Sequence, residues 1–489
     1  MTGRRIIGMV SALALLAGCG GGGDGGGGGG TPIAGTPAPS PTPAPTSGCS
    51  LRERQDWAAA QLREWYLFPE TLPTSLSPAS YATVDAYIDA LTATARSQRK
   101  DRFFTYLTSI AEENAFFNSG SSAGYGIRLA YDSSARRLFI SEAFEGAPAL
   151  EAGIDRGAEI TGIGTTTGNI RSVADIVAAE GTQGLTNALG PDTAGTTRVL
   201  RVASVGAGGG QTRDVTVSKR DFTLTPVSAR YGARIIDDGG RRVGYVNLRT
   251  FINTADPALR QAFANFRAQN VTEVIVDFRY NGGGLVSIAE LIGDLLGRDR
   301  TTADIFSITA FRPEKASNNR TRFFQPQPES IAPTRVAFIG TGQSASASEL
   351  VVNSFVPYLG NRGALVGTNT FGKPVGQIAL DRAACDDRLR VVAFASQNRD
   401  RQGEYYSGLA TTVPVTCRAA DDLAFPLGDP REASTRQALD FLAGRSCTPI
   451  TATASADART MGARELGYDR EALTAPRPSP AQREVPGLF

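Results

Sequence analysis

The chain has 489 residues, of which 41% are hydrophobic, and its formal net charge is +2 at pH 7. This length is sufficient for more than one hydrophobic core, at about 100–200 residues per domain. The nearly balanced charge argues against a nucleic-acid partner, because nucleic-acid-binding domains carry a clear positive excess. The sequence contains no histidine, which excludes a Ser-His-Asp triad and a Cys-His dyad.

Residues 1–19 are typical of an export signal. Arg4 and Arg5 form a positive start, residues 6–16 form a short apolar run, and small residues precede Cys19. Cys19 in this position resembles a bacterial lipobox, which implies cleavage before Cys19, lipidation of its thiol and a membrane anchor. Gly20 after the cysteine favours the outer membrane, so the expected location is the cell envelope, facing the periplasm. An ordinary signal peptide with an incidental cysteine is the alternative.

Residues 20–48 form a predicted linker, with a Gly tract followed by Pro, Thr, Ser and Ala. Gly-rich chain is flexible and Pro-rich chain is extended, and neither can bury a core. Such a linker would hold a folded body roughly 30 Å from a membrane on coil statistics.

Four cysteines follow Cys19, and an even number in an exported protein suggests disulfide bonds. They are Cys49, Cys385, Cys417 and Cys447. Four cysteines allow three pairings, and the sequence does not choose between them. Our working hypothesis pairs Cys385 with Cys417 and Cys49 with Cys447, and four free buried thiols are the alternative. A metal site is not expected, because the chain has neither histidine nor a CxxC pair.

The remaining chain changes character in order. Apolar residues at helical spacing predict helices at residues 55–66 and 81–95. From residue 223, apolar strands alternate with amphipathic helices, which predicts a largely parallel α/β sheet. Residues 388–418 are β-rich, and residues 448–489, rich in Ala, Thr, Arg and Pro, are expected to be disordered or to form one weak helix.

Residues 336–377 combine a short apolar strand, a turn of small residues, a helix predicted from Ala347, and Lys373. A hydroxyl at such a strand-to-helix turn lies where backbone N–H groups and the helix dipole favour negative charge. Acyl transfer develops negative charge of this kind on the reacting oxygen. Because the chain has no histidine, a nucleophilic serine needs another base, and a lysine with a lowered pKa can serve.

Three ordered motifs resemble those of the C-terminal processing peptidases, also called tail-specific proteases. Residues 344–349 (SASASE) resemble the nucleophile motif, residues 370–373 (TFGK) the lysine motif, and residues 277–284 (DFRYNGGG) a marker upstream. The resemblance implies a mixed α/β, multidomain fold with a ClpP/crotonase-like α/β protease core, a PDZ-like β domain and an N-terminal helical segment. The predicted divisions are a signal peptide with lipobox (1–19), a linker (20–48), a helical region (49–118), a PDZ-like domain (119–222), a peptidase domain (223–447) and a disordered tail (448–489).

The resemblance also implies roles for single residues. Ser346 is expected to be the nucleophile, with Ser344 and Ser348 as alternatives within the run. Lys373 is expected to be the general base, and Gln377 to orient it. The backbone N–H groups of Ala347 and of Gly282 or Gly283 are the oxyanion-hole candidates, because glycine lets the backbone approach the reacting atom.

The loop Gly124-Tyr125-Gly126-Ile127 resembles a PDZ carboxylate-binding loop. Backbone N–H groups in such a loop can bind a chain-terminal carboxylate, and the adjacent strand edge can accept an extended peptide. A small β domain with glycine loops and no ligand is the alternative.

The sequence therefore predicts a lipid-anchored serine endopeptidase with a Ser-Lys dyad. It would form an acyl-enzyme, need no cofactor, and act on protein or peptide substrates with free C-terminal tails bound by the PDZ domain. A catalytically inactive PDZ-type peptide-binding scaffold is the alternative from another functional class. A zymogen-like state, with the PDZ domain blocking the site, is a third possibility.

Overall fold

The described part of the chain begins with helices, as predicted. It consists of residues 48–204, 211–451 and 470–489 of a computed structural model. Cys19, the apolar run before it and the linker up to residue 47 lie outside the described residues. The first elements are α1 (Leu51–Trp65), α2 (Val84–Leu91), α3 (Ala93–Ser97), β1 (Tyr106–Ser109) and α4 (Ile110–Ser119).

Helix α1 starts at a capping box, in which the Glu53 carboxylate accepts from Ser50 N at 3.1 Å. Its buried Leu62 packs in a cluster with Ile88 of α2. The predicted second helix, residues 81–95, is two helices in the structure, because the chain departs from helical geometry at Thr92.

Residues 121–223 form a β module with one long helical segment, which is kinked at Gly181. Its sheet has the strand order β20-β3-β4-β5-β7-β8, in which β20 (Arg470–Ala472) comes from the end of the chain; β6 lies beside β5, and β2 pairs with β9 separately. Helix α6 covers the sheet and buries Ile176, Leu185 and Leu189 against it. The PDZ-like assignment of this module stays a prediction. The elements are β2 (Ser121–Gly124), β3 (Ile127–Asp132), β4 (Arg137–Ala143), α5 (Pro148–Glu151), β5 (Glu159–Gly164), β6 (Arg171–Ser172), α6 (Val173–Leu189), β7 (Thr197–Ala203), β8 (Thr212–Ser218) and β9 (Arg220–Thr223).

A six-stranded sheet follows, in the order β10-β11-β12-β15-β16-β19. The pairs from β11 to β19 are parallel and β10 is antiparallel at the edge, which confirms the predicted largely parallel sheet. Helices α7, α8 and α9 pack against one face and α10 against the other. These elements are β10 (Ala233–Asp238), β11 (Arg241–Asn247), α7 (Ala255–Ala268), β12 (Glu273–Asp277), α8 (Val286–Leu295), β15 (Arg335–Gly340), α9 (Ala347–Leu359), β16 (Gly363–Gly367), β19 (Thr416–Arg418) and α10 (Ala433–Leu442).

Burial on both faces explains the continuous apolar strands of this sheet. In β12, Val274 and Val276 point to the α7–α9 side, whereas Ile275 points to the α10 side. A second sheet of five strands has the order β1-β18-β13-β14, with β17 beside β18. Its remaining strands are β13 (Ile305–Phe311), β14 (Arg320–Phe323), β17 (Val375–Arg382) and β18 (Asp387–Gln397).

The tail, for which the sequence predicts disorder or one weak helix over 448–489, is structured at residues 470–489. They form β20 (Arg470–Ala472), which pairs with β3, and a short helix α11 (Pro480–Glu484). The apolar residues Val485, Leu488 and Phe489 are buried. The composition of the tail gave no periodicity, because these residues pack on partners far away in the sequence rather than on one another.

The disulfide hypothesis is also wrong in its pairing, although all four cysteines are bonded. The bonds are Cys49–Cys385 and Cys417–Cys447. Cys385 follows β17, and Arg54 of α1 binds Asp387 of β18 at 2.6 Å, so the start of α1 lies beside this hairpin. Cys447 follows α10 and reaches back to β19 on the same side of the sheet. Among the helices of the described residues, none is both long and apolar enough to cross a bilayer.

Candidate active site

Ser346 lies at the turn between β15 and α9, in an unusual backbone conformation. It is the N-cap of α9, with φ 54° and ψ −112°, a region that costs a non-glycine residue about 1–3 kcal/mol. The neighbouring Ala345 N donates to Asn281 O at 3.0 Å, which fixes the turn against the glycine loop after β12. This turn therefore lies directly beside the glycine loop.

The two other serines of the run have structural partners. Ser344 Oγ donates to Phe278 O at 2.8 Å, and Ser348 Oγ donates to Asn281 O at 3.1 Å. Each of these serines is 1% exposed, whereas Ser346 is only partly buried. Among the three serines, Ser346 is therefore the one placed for contact with a substrate.

Glu349 joins the nucleophile turn to the lysine loop. Its Oε2 accepts from Ser346 N at 3.1 Å and from Lys373 N at 2.7 Å. Its Oε1 accepts from Gly372 N at 2.7 Å and from Thr370 Oγ1 at 2.6 Å. Burial raises the pKa of the Glu349 carboxyl, and these hydrogen bonds oppose the shift. One carboxylate thus holds the backbones of Ser346 and Lys373 together.

Lys373 is placed by Gln377 and an aromatic ring. Its Nζ donates to Gln377 Oε1 at 3.1 Å and lies 4.9 Å from the centre of the Phe104 ring. Gln377 Nε2 donates to Phe104 O, which fixes the amide. Desolvation lowers the pKa of the Lys373 ammonium, against the carboxylates of Glu484 and Asp101, which raise it. The predicted orienting contact of Gln377 is present in this geometry.

The glycine loop approaches Ser346 closely. A Cβ on Gly283 would lie 2.8 Å from Ser346 Cβ and 3.2 Å from Ala347 N, and Gly283 has φ +123°. Gly283 N–H donates to Asn281 Oδ1 at 2.9 Å, so it is engaged within its own loop. Gly282 N–H donates to the carbonyl oxygen of Glu484 at 2.9 Å. Of the two glycines, Gly282 is therefore the one whose N–H binds a main-chain carbonyl oxygen from outside its own loop.

A buried cluster of charges braces this loop from behind. Arg279 contacts Asp277 at 2.9 Å and Glu432 at 2.8 Å, and Tyr245 Oη donates to Asp277 at 2.8 Å. Burial alone would raise the pKa of the Glu432 carboxyl, but Arg279 outweighs it and holds that pKa below its usual range. These side chains are fully buried, so they support the loop rather than meet a substrate.

The predicted carboxylate-binding loop lies between β2 and β3. Gly126 N and Ile127 N both donate to the main-chain oxygen of Phe489, at 2.9 and 3.1 Å. A Cβ on Gly124 would lie 2.7 Å from the carbonyl carbon of Phe489, so glycine is needed for this approach. Tyr125 is buried, and its Oη donates to Leu189 O at 2.9 Å, so its side chain supports α6.

A cavity of about 1120 Å³ opens between the N-terminal region, the glycine loop and the C-terminal residues. Its lining includes Phe104, Gly282, Ala345, Lys373 and Glu484. It places both motif loops beside a space large enough for a peptide.

One family model matches the part of the chain that contains these loops. The model of peptidase family S41 matches residues 242–410. The S41 match begins in β11 and runs past the lysine loop and β18, so it contains the serine turn, the glycine loop and Lys373.

Curated relatives and one solved structure agree with the S41 match. The chain is 27% identical over 279 residues to a chloroplastic C-terminal processing peptidase of Tetradesmus obliquus, covering 54% of each chain. It is 29% identical over 277 residues to the chloroplastic carboxyl-terminal-processing peptidase 3 of Arabidopsis thaliana, covering 55% of this chain and 49% of the relative. The chain thus spans about half the length of the curated relatives it matches.

A solved structure described as an S41 protease from Bacteroides fragilis shares the fold. It superimposes with a TM-score of 0.62 at 22% identity, covering 79% of this chain and 97% of the other. The mixed α/β, multidomain fold predicted from the sequence is therefore confirmed.

Sequence reasoning missed two parts of this site. The first is the role of Glu349, which the sequence analysis names only as the end of the SASASE run. A Glu three residues after an N-cap Ser is the pattern of a capping box, and this spacing could have indicated the role. The contribution of residues 479–489 had no usable signal, because the binding partners of these residues lie in loops hundreds of positions away.

Proposed function

We propose that the protein is a serine endopeptidase that uses Ser346 as nucleophile and Lys373 as general base. The observation that carries this proposal is the Glu349 carboxylate, one oxygen of which accepts from the backbone N–H groups of both residues. The S41 match and the curated relatives support a serine-type peptidase of the C-terminal processing kind. The half-buried lysine, with its lowered pKa, supports the base role.

In this mechanism, Ser346 Oγ attacks the peptide carbonyl while its proton moves to the neutral amine of Lys373. The backbone N–H groups of Gly282 and Ala347 stabilise the oxyanion, and losing one such donor typically costs about 2.7–4 kcal/mol. Lys373 then gives the proton to the leaving amine, and water hydrolyses the acyl-enzyme by the reverse route. Gln377 Oε1 accepts a hydrogen bond from Lys373 Nζ and so holds the lysine amine in its orientation.

The β module is proposed to bind the C-terminal tails of substrates. The loop N–H groups of Gly126 and Ile127 converge on one main-chain oxygen, which is the geometry that a terminal carboxylate requires. Loss of the loop N–H pair should therefore raise KM for peptides with a free C terminus more than for amidated peptides. Equal KM values for free and amidated peptides in the wild-type chain would contradict tail capture.

The experiment uses the purified full-length chain and unfolded peptides that end in apolar residues. Ser346→Ala and Lys373→Ala are each expected to lose at least about 1000-fold in kcat, because nucleophile and base act as one unit. Ser344→Ala and Lys100→Ala are the matched controls, and both should keep most of the activity. Equal cleavage by wild type, S346A and K373A would rule out the dyad.

Tight peptide binding by wild type without any cleavage would instead favour the scaffold function.

Membrane attachment through lipidated Cys19 is a separate proposal, which the lipobox-like residues and the linker after them support. Cys19→Ser should abolish incorporation of labelled palmitate and release the protein from the membrane fraction. Labelling that persists in C19S would contradict it.

A further inference from the structure

Residues 487–489 add to the edge of β3 as an antiparallel strand. Phe489 N donates to Ile127 O at 2.9 Å, Ile127 N donates to Phe489 O at 3.1 Å, and Leu129 N donates to Gly487 O at 2.8 Å. Leu488 is paired with Arg128 in this register. Addition of a strand to an exposed sheet edge is a general way in which proteins bind extended peptides.

The side chains of this segment fill two apolar pockets. Phe489 is 3% exposed and packs in the cluster that contains Tyr125, Leu185 and Leu189. Leu488 and Val485 are buried in a different cluster, against Phe116 and Phe222. Removing each of these apolar side chains from water stabilises the bound segment. The pockets therefore select large apolar side chains at the end of a peptide.

The same segment reaches the S41 site. Glu484 O accepts from Gly282 N at 2.9 Å, which occupies a proposed oxyanion donor. Arg128, fully buried, donates to Pro486 O at 2.9 Å and to Tyr280 O at 2.6 Å, so it links the segment to the loop that contains Gly282. The cavity beside Lys373 is lined by Arg483 and Glu484.

The segment is bound in a form that does not suit cleavage. Residues 480–484 are helical, and Val485 N donates to Ala481 O at 2.8 Å. The Glu484 carbonyl therefore reaches Gly282 from a helical turn, whereas a peptide laid along a strand edge is extended. This geometry describes an occupant of the site rather than a substrate about to react.

We propose that residues 479–489 are an intramolecular peptide ligand, which holds the β3 groove and the Gly282 donor until a substrate tail displaces it. The ligand class of the groove is then a peptide with large apolar residues at the positions that Leu488 and Phe489 occupy here. The binding part of this inference stands on contacts alone, and its inhibitory consequence rests on the proposed function.

A binding experiment tests the inference without catalysis. The full-length chain with Ser346→Ala is titrated with a fluorescent peptide of the sequence SPAQREVPGLF, which is residues 479–489. The second protein carries Phe489→Ala in addition, and the matched control carries Thr474→Ala, an exposed position in the same tail. The Phe489→Ala protein should bind the peptide at least about tenfold more tightly, and the control should bind like the parent.

Equal affinity in all three proteins would overturn the inference, since the groove would then not be occupied by the segment. A peptide ending in two aspartates should bind weakly to all three proteins, because the pockets are apolar. Tight binding of that acidic peptide would overturn the assigned ligand class.

Hydrogen exchange on the unmutated chain tests the same inference without a variant that could misfold. Excess SPAQREVPGLF peptide should speed exchange of residues 480–489 by at least about tenfold, while the N–H groups of Ile127 and Leu129 stay protected. Unchanged exchange at residues 480–489 under saturating peptide would overturn the inference.

Activity separates this inference from the proposed function. With Ser346 present, Phe489→Ala should raise kcat/KM for an apolar-ended peptide several-fold relative to Thr474→Ala. Improved binding with no cleavage by any protein would refute the peptidase and leave the ligand assignment intact. Cleavage that is identical in both variants, with identical peptide affinity, would refute the ligand assignment and leave the peptidase intact.

Discussion

Glu349 shows how one residue can position two others. Its carboxylate accepts from Ser346 N, Gly372 N and Lys373 N, so the serine and the lysine depend on it for their relative placement. We expect Glu349→Ala to lower kcat about 100-fold with little change in KM, because groups misplaced by about 1 Å lose that much rate.

Glu349→Gln is the informative partner of that variant. It keeps one acceptor oxygen and directs an NH₂ at backbone N–H groups, so it should recover only part of kcat. Measured kcat and KM for both variants check the role. A loss confined to KM would show that Glu349 acts through substrate binding instead.

Lys373 should give the activity a defined dependence on pH. Only the neutral amine can accept a proton, so kcat/KM should rise with pH, with a midpoint below the ordinary lysine value of 10.5. Burial lowers the pKa of Lys373, Arg483 and Arg390 also lower it, and the carboxylates of Glu484 and Asp101 raise it.

Glu484→Gln removes one of the two carboxylates that favour the ammonium. The pKa of Lys373 should fall further, and the midpoint of kcat/KM should move to lower pH. Glu471→Gln, at an exposed position of the tail, is the control and should leave the midpoint in place. A midpoint that moves upward in E484Q would contradict the charge assignment.

At the scale of single elements, the strands and helices of the region that the S41 model matches, residues 242–410, were largely predictable. Residues 274–276 form a continuous apolar run within the buried strand β12, and the small-residue turn before Ala347 leads into the start of α9. Such local patterns suffice because each element has its own periodicity. Disulfide pairing is different, since it depends on which hairpin lies beside α1 and which strand lies beside α10.

The two disulfides should differ in their effect on stability. Cys49–Cys385 spans 336 residues and Cys417–Cys447 spans 30. In the chain-entropy view, the longer loop restricts the unfolded chain more, and a native disulfide is typically worth about 2–4 kcal/mol.

We therefore expect Cys49→Ala with Cys385→Ala to lower the free energy of unfolding more than Cys417→Ala with Cys447→Ala. Guanidinium unfolding of both double variants measures the difference, and peptide mapping without reductant checks the pairing in the parent. A larger loss from the Cys417 and Cys447 pair would show that native packing, not loop length, decides the outcome.

At the scale of the whole molecule, the site is assembled from three distant parts of the chain. Phe104 comes from the N-terminal region, Gly282 and Ser346 from the region that the S41 model matches, and Glu484 from the C-terminal residues. The three motif loops could be found from the sequence because each carries its own residues. The binding of residues 479–489 could not be predicted, because it depends on a groove formed by β3 and α6 and on Arg128 of β3, which joins the segment to the glycine loop.

The backbone conformation of Ser346 has a consequence for the stability of the fold. A left-handed φ of 54° suits glycine, which has no Cβ to clash. Ser346→Gly should therefore be more resistant to denaturant than Ser346→Ala, by about 1 kcal/mol, although neither can cleave a peptide. Equal midpoints would show that the turn bears no strain. In the proposed mechanism, this strain is the loss of stability that comes with holding a nucleophile at the turn.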